Sequence, residues 1–83
     1  MRVVWTLPAL DRLDEIQTYI AENRPAAAYR VVKEILERTD DALSRNPMLG
    51  RVGRTGTTRE FVLANLPYIV VYRVGDHLEI VDV

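Results

Sequence analysis

Eighty-three residues are enough for one small domain and too few for a second hydrophobic core. The chain is 48% hydrophobic and lacks cysteine, and the absence of cysteine excludes disulfide bridges, thiolate metal sites and thiol nucleophiles. Its formal net charge of −1 argues against a nucleic-acid coat protein. No apolar run approaches the roughly 20 residues of a membrane span, and acids follow the N-terminus too early for a signal peptide. We therefore expect a cytoplasmic protein.

The chain begins with a predicted strand and helix. The β-branched and aromatic residues of Arg2–Thr6 are typical of a short strand. Thr6 is a suitable N-cap for a helix over about Pro8 to Glu22, in which Pro8 occupies the first turn, where its missing N–H is not needed.

A second helix is predicted after a short break. Pro25 fits its first turn, and apolar residues then recur with a 3.6-residue period. We expect this helix to end near Asn46, because Pro47 restricts the residue that precedes it. So short a link predicts an antiparallel helical hairpin.

The second half of the chain has the alternation of strands. Met48–Thr57, with three glycines, is predicted to be a loop, and Thr58–Ala64 a strand. After a turn at Leu66–Pro67, Tyr68–Val74 carries apolar residues on both faces, as a central strand does. A tight hairpin then leads into a last strand over His77–Val83.

These segments predict an α+β fold, in which an N-terminal strand and an α-helical hairpin pack on a small antiparallel β-sheet. Residues 1–83 should form a single domain. The chain stops at Val83 inside an apolar strand pattern, whereas free chain ends usually fray into polar residues, and we interpret the C-terminus as truncated.

Positive charge is concentrated in one segment. Residues 45–59 carry four arginines and no acid. Of these, Arg51, Arg54 and Arg59 are candidates to bind phosphate or carboxylate groups of a partner. The alternatives are a solvated loop, or an ion pair between Arg59 and a nearby acid.

Three further residues are partner-binding candidates. Arg73 projects from a strand and either binds a partner or pairs across strands with Glu60 or Glu79. Tyr19 and Tyr29 lie off the main apolar stripe of the helices or at its edge, where a partner helix can cover them.

Catalytic patterns are weak. His77 is the only histidine, has no serine or cysteine partner at a recognisable spacing, and is interpreted as a surface turn residue. The acids are scattered over helix faces, and the glycines of the loop match no phosphate-binding fingerprint. We therefore predict no catalytic residue, no metal and no cofactor.

Four segments, taken in order, resemble the RelE/ParE superfamily of type II toxin–antitoxin toxins, on its ParE branch. They cover nearly the whole chain: WTLPALDRL at Trp5–Leu13, YIAENRPAA at Tyr19–Ala27, NPMLGRVGRTGTTRE at Asn46–Glu60 and LPYIVVYRV at Leu66–Val74. The resemblance implies the fold predicted above and a cognate antitoxin, whose C-terminal segment occupies a groove of the toxin. DNA binding belongs to the antitoxin, so no sequence-specific DNA contact is expected from this chain.

The two branches of the superfamily imply different activities. RelE-like members cleave mRNA on the ribosome with lysines, a strand arginine and a C-terminal tyrosine or histidine. Here Ile69 stands where the strand arginine is expected, and Lys33 is the only lysine. ParE-like members inhibit DNA gyrase by binding and have no catalytic residues, so the resemblance implies a gyrase inhibitor rather than an enzyme.

Two alternatives remain. The first is a RelE-like mRNA endonuclease, in which the arginines at positions 51, 54, 59 and 73 supply the cationic chemistry. The second is a non-toxic remnant that only binds antitoxin. For the gyrase inhibitor and for both alternatives, we expect the apolar groove along the two helices and the sheet to bury an antitoxin segment.

Overall fold

Two helices and five strands follow one another in the computed structural model, which describes residues 1–83. The helices pack against each other and against one face of a single sheet with the strand order β1-β5-β4-β3-β2. The elements are β1 (Val3–Trp5), α1 (Leu7–Ala21), α2 (Pro25–Arg45), β2 (Arg51–Val52), β3 (Arg59–Val62), β4 (Ile69–Val74) and β5 (Leu78–Asp82). This arrangement confirms the predicted α+β fold.

Thr6 starts α1 and joins it to the sheet. Its Oγ1 accepts a hydrogen bond from the backbone N of Ala9 at 3.4 Å, which is the predicted N-cap. The same hydroxyl donates to the carbonyl of Ile80 at 2.7 Å, and the backbone N of Thr6 donates to that carbonyl at 3.1 Å. The first turn of α1 is thereby fixed to β5.

The second helix begins at the predicted proline and ends one residue before the predicted Asn46. Its buried face consists of Ala28, Ile35, Thr39 and Leu43. Its C-terminal end returns to the N-terminus of the chain, where the Met1 amino group donates to the carbonyl of Ser44 at 2.8 Å. Neither helix is long and apolar enough to cross a membrane.

The sheet is antiparallel from β2 to β5, whereas β1 lies parallel to β5, with Val3 opposite Leu78 and Trp5 opposite Ile80. Parallel neighbours require a long crossover, and here the whole helical hairpin and three strands intervene. Trp5 Nε1 also donates to Asp40 Oδ1 at 2.9 Å, which links β1 to α2.

One predicted loop contains a strand. Arg51–Val52, within the segment Met48–Thr57, pairs with Glu60 and Arg59 as β2. The prediction was wrong at these two residues because so short a strand shows no alternation of apolar and polar residues, and glycines flank it on both sides.

The core lies between the helices and the inner face of the sheet. Val70 and Tyr72 of the middle strand β4 are fully buried there, as are Leu78 and Ile80 of β5, the two residues predicted to face the core. The outer face of the sheet has no helix over it, and Ile69 and Val62 remain exposed there. The apolar residues on both faces of β4 thus mark a middle strand whose outer face is open.

Candidate partner-binding site

An apolar groove runs between α1 and the turn that joins β3 to β4. At the tip of the helical hairpin it widens into a cavity of about 310 Å³, lined by Tyr19, Ile20, Ala27, Val31, Leu66 and Tyr68, among others. Tyr68 and Tyr19 also line a second cavity, of about 440 Å³, beside Ile16. Tyr68 lines a third, of about 410 Å³, over Ile69 and Val71 on the outer face of the sheet. Because they share Tyr68, the three cavities form one surface, which we name the α1 groove.

Charged side chains stand at the rim of the α1 groove. Arg24 lines the cavity at the hairpin tip and forms no ion pair. Arg12 lines the other two cavities and pairs with Glu15 at 3.6 Å between Nη1 and Oε2, with both side chains largely exposed. Glu15, Glu60 and Asp82 line the same two cavities as Arg12. The groove therefore offers a partner's carboxylate one cation without a neighbouring acid, Arg24, beside the apolar floor at the hairpin tip.

The two predicted tyrosines lie in different places. Tyr19 is 73% exposed and forms part of the α1 groove. Tyr29 is 64% exposed on α2 and lines none of the three cavities. Only Tyr19 is therefore placed where a segment in the groove would contact it.

Arg51 and Arg54 extend from β2 and the turn that follows it. Arg51 Nε donates to Glu60 Oε1 at 3.2 Å, directly across the β2–β3 pair. Arg54 is exposed and makes no ion pair or side-chain hydrogen bond. Within the predicted set, Arg54 is the arginine whose guanidinium is free.

Arg59 binds the backbone instead of an acid. Its Nη1 donates to the carbonyl of Gly50 at 2.7 Å and to that of Met48 at 3.4 Å. The ion pair considered as an alternative for Arg59 does not form. Its guanidinium holds the connection between α2 and β2 closed against β3.

The buried hydroxyl of Tyr72 holds the same connection from the other side. It accepts a hydrogen bond from the backbone N of Gly50 at 2.8 Å and donates to the carbonyl of Pro47 at 2.7 Å. A Cβ on Gly50 would lie 2.7 Å from the Tyr72 ring and 2.8 Å from the Glu60 carbonyl, so only glycine fits. Sequence reasoning missed this role of Tyr72. The available signal was a tyrosine on a buried strand, whose hydroxyl needs a partner.

Arg73 lies on the outer face of the sheet. Its Nη2 donates to Glu79 Oε1 at 3.2 Å, across the β4–β5 pair, which confirms one of the two predicted partners. Glu60, the other candidate, pairs with Arg51. His77 follows the β4–β5 turn, with its Nε2 3.7 Å from Glu79 Oε2.

The predicted residues therefore do not form a single cluster. Arg51 and Arg73 lie on the outer sheet face in cross-strand ion pairs, Tyr19 lies in the α1 groove, and Arg59 faces the backbone. This distribution suits contacts with a macromolecular partner over several surfaces.

Comparison with known proteins is consistent over the whole length of the chain. Residues 3–83 match the family described as the ParE toxin of the type II toxin–antitoxin system parDE. A curated protein of Sinorhizobium fredii (strain NBRC 101917 / NGR234), named "Putative toxin Y4kP", is 51% identical over 82 residues, which are 99% of this chain and 84% of the relative.

A solved structure gives the same result for the fold. A chain of the chromosomal ParDE TA system from P. aeruginosa superposes with a TM-score of 0.87 at 26% sequence identity, covering 96% of this chain and 89% of that one. The protein thus belongs to the ParE family of toxins from type II toxin–antitoxin systems.

Proposed function

We propose that this chain is a cytoplasmic toxin that inhibits DNA gyrase by binding and that a cognate antitoxin neutralises it by occupying the α1 groove. The observation that carries the antitoxin half is the open apolar groove on a chain of the ParE family. A toxin held in check by a second protein needs such a surface, and a solved relative comes from a ParDE system.

The shape of the α1 groove favours an amphipathic antitoxin segment. Half-buried Ile20, Val31 and Leu66 offer apolar contacts at the hairpin tip, while Tyr19 supplies an exposed aromatic ring. A helix that places apolar residues three or four positions apart can cover this floor. An acidic residue on its polar side would meet the unpaired Arg24 at the hairpin tip, which adds orientation to the apolar contact.

The gyrase half of the proposal is supported by the family and by the charges on the outer face of the sheet. An RNase needs a cation that is free to stabilise the pentavalent phosphorus transition state. Here Arg51 and Arg73 are each paired with a glutamate, and Arg59 is engaged by backbone carbonyls. This arrangement favours inhibition by binding over mRNA cleavage.

The groove can be tested with two neighbouring alanines of α2. Ala27 lines the cavity at the hairpin tip, whereas Ala26 is exposed outside it. Because a glutamate at 27 inserts bulk and charge into the apolar floor, we expect Ala27→Glu to weaken binding of the cognate antitoxin at least tenfold. Ala26→Glu, the matched control, should bind like the parent. Equal affinities of both variants by calorimetry contradict the groove assignment.

The target can be tested with purified components. We expect the chain to inhibit gyrase supercoiling of plasmid DNA, and the antitoxin to relieve that inhibition. In parallel, ribosome-dependent translation reactions are examined for mRNA cleavage by primer extension. If the chain does not inhibit gyrase at micromolar excess, gyrase is rejected as its target. If transcripts are cleaved, the RelE-like mRNA endonuclease is the correct alternative. If the chain binds antitoxin but neither inhibits gyrase nor causes mRNA cleavage, it is the non-toxic remnant.

A further inference from the structure

A second surface of the molecule combines exposed apolar side chains with arginines. Met48 and Leu49, in the connection between α2 and β2, and Val52, in β2 itself, are between 49% and 60% exposed. Arg51 and Arg54 flank them. We name these five residues the loop patch. Grouped exposed apolar residues on a small protein are characteristic of interaction sites.

The backbone that carries the loop patch is fixed. Beyond the Arg59 and Tyr72 hydrogen bonds to residues 47–50, Leu49 N donates to the Asn46 carbonyl at 3.0 Å. Past β2, Gly53 N donates to the Thr58 carbonyl at 2.7 Å. The buried Tyr72 and the half-buried Arg59 therefore hold a surface segment whose own side chains contribute little to the core. Such preorganisation lowers the entropy lost when a partner binds.

The charges of the loop patch specify the partner's chemistry. Of the four arginines in residues 45–59, Arg45 pairs with Asp41 and Arg51 with Glu60, while Arg54 remains free. The patch thus attracts an acidic surface. Its apolar share favours a protein over a nucleic acid, because Met and Arg are enriched in protein interfaces while nucleic-acid affinity depends mainly on cations that contact phosphates.

The loop patch is separate from the part of the α1 groove that lies against the helices. None of its five residues lines either of the two cavities there. Arg51, Val52 and Arg54 line a further cavity, which borders the outer-face cavity of the groove at Glu60 and Ile69. We propose that the loop patch is a second docking surface, which binds an acidic surface of the toxin's target protein and not the antitoxin. The inference rests on the proposed function, because it takes gyrase as that target.

The test uses two pairs of substitutions with the same chemistry at different places. Leu49→Asp with Arg54→Glu reverses the loop patch. Leu7→Asp with Arg2→Glu makes the same change at exposed residues near the N-terminus. We expect the patch pair to raise at least tenfold the concentration that half-inhibits gyrase supercoiling, with antitoxin affinity unchanged within twofold. The N-terminal pair should leave both values at those of the parent.

Several results overturn the proposal. Equal inhibition by the patch pair and the parent removes the surface from target binding. If the patch pair loses affinity for the antitoxin, the loop patch is part of the antitoxin interface. If the parent binds linear duplex DNA without gyrase and Arg54→Glu abolishes that binding, the loop patch is a nucleic-acid site. If circular dichroism shows that the pair misfolds, the comparison is made with Arg54→Glu alone, since that guanidinium has no partner to lose.

Failure of the gyrase assignment gives a different pattern. If the parent does not inhibit gyrase but arrests growth on induction, the same variants are compared by growth arrest. Relief by the patch pair and not by the N-terminal pair then supports the loop patch and rejects gyrase as the target. A parent that shows neither inhibition nor arrest rejects both proposals.

Discussion

Two arginines five positions apart in the basic segment have different environments. Arg54 is exposed and unpaired, whereas Arg59 donates to two backbone carbonyls and closes the connection between α2 and β2. Residue type and local charge are the same for both, so sequence alone assigns them the same role. The difference depends on where each arginine lies, because Arg54 is in the turn after β2 whereas Arg59 is the first residue of β3. Arg59 lies on the same face of the sheet as half-buried Phe61 and buried Tyr72.

The Tyr72 hydroxyl is expected to contribute measurably to stability. Tyr72→Phe leaves the N–H of Gly50 and the carbonyl of Pro47 without this partner in a buried place, which lowers the free energy of unfolding by about 1–3 kcal/mol. Urea denaturation followed by circular dichroism measures the loss. Tyr19→Phe, at an exposed ring, is the control and should change stability by less than about 0.5 kcal/mol. Equal stability of the two variants would contradict the role of Tyr72.

A substitution at Thr39 is expected to raise the free energy of unfolding. It is fully buried in α2, and its Oγ1 has no hydrogen-bond partner. Valine has nearly the same shape without the hydroxyl, so Thr39→Val should raise the free energy of unfolding by about 1 kcal/mol. Thr18→Val, on the exposed side of α1, controls for the change in helix propensity. A destabilised Thr39→Val chain would show that the hydroxyl has a partner, such as a buried water.

Among the elements, the connection between α2 and β2 depends on one glycine. A Cβ at Gly50 meets the Tyr72 ring and the Glu60 carbonyl within 2.8 Å, and neither side can move without disturbing the core or the sheet. We expect Gly50→Ala to destabilise the chain by about 1–3 kcal/mol. Gly75→Ala is the matched control, because the nearest atom to its Cβ is 3.9 Å away. Thermal melts that rank the two variants equally would contradict this.

The elements that sequence predicts well are those with a repeating pattern and a capping residue. Both helices lie within one residue of their predicted bounds, since Thr6, Pro25 and Pro47 mark the ends and apolar periodicity marks the middle. β2 was missed because two residues carry no period. The parallel pairing of β1 with β5 joins the two ends of the chain and depends on no local pattern.

The candidate site was predictable only in part, because contacts between residues distant in the chain follow no local sequence pattern. The exposure of Arg54 and Tyr19 could be expected, because a loop arginine and an aromatic residue off the apolar stripe are visible in the sequence, while their part in partner binding stays a prediction. The α1 groove was expected from the family resemblance, but its wall at Leu66–Tyr68 comes from a turn that folds back against α1. The clamp of Arg59 and Tyr72 joins residues 22 to 25 positions apart through the hydroxyl, and no spacing rule reveals it.

For the whole molecule, the contact between the chain's two ends should decide whether it folds. A domain of this size has about 4–12 kcal/mol of stability. Val3 and Trp5 are half-buried against the core from β1. Loss of a fully buried tryptophan costs about 3–5 kcal/mol, and the deletion removes the half-buried Trp5 together with Val3 and the hydrogen bonds of β1 to β5. Deleting residues 2–5 should therefore abolish the cooperative thermal transition seen by far-ultraviolet circular dichroism. Arg2→Ala, which keeps β1, should melt like the parent. A deletion variant that melts cooperatively within a few degrees of the parent would show that α1, α2 and β2–β5 form a sufficient core without β1.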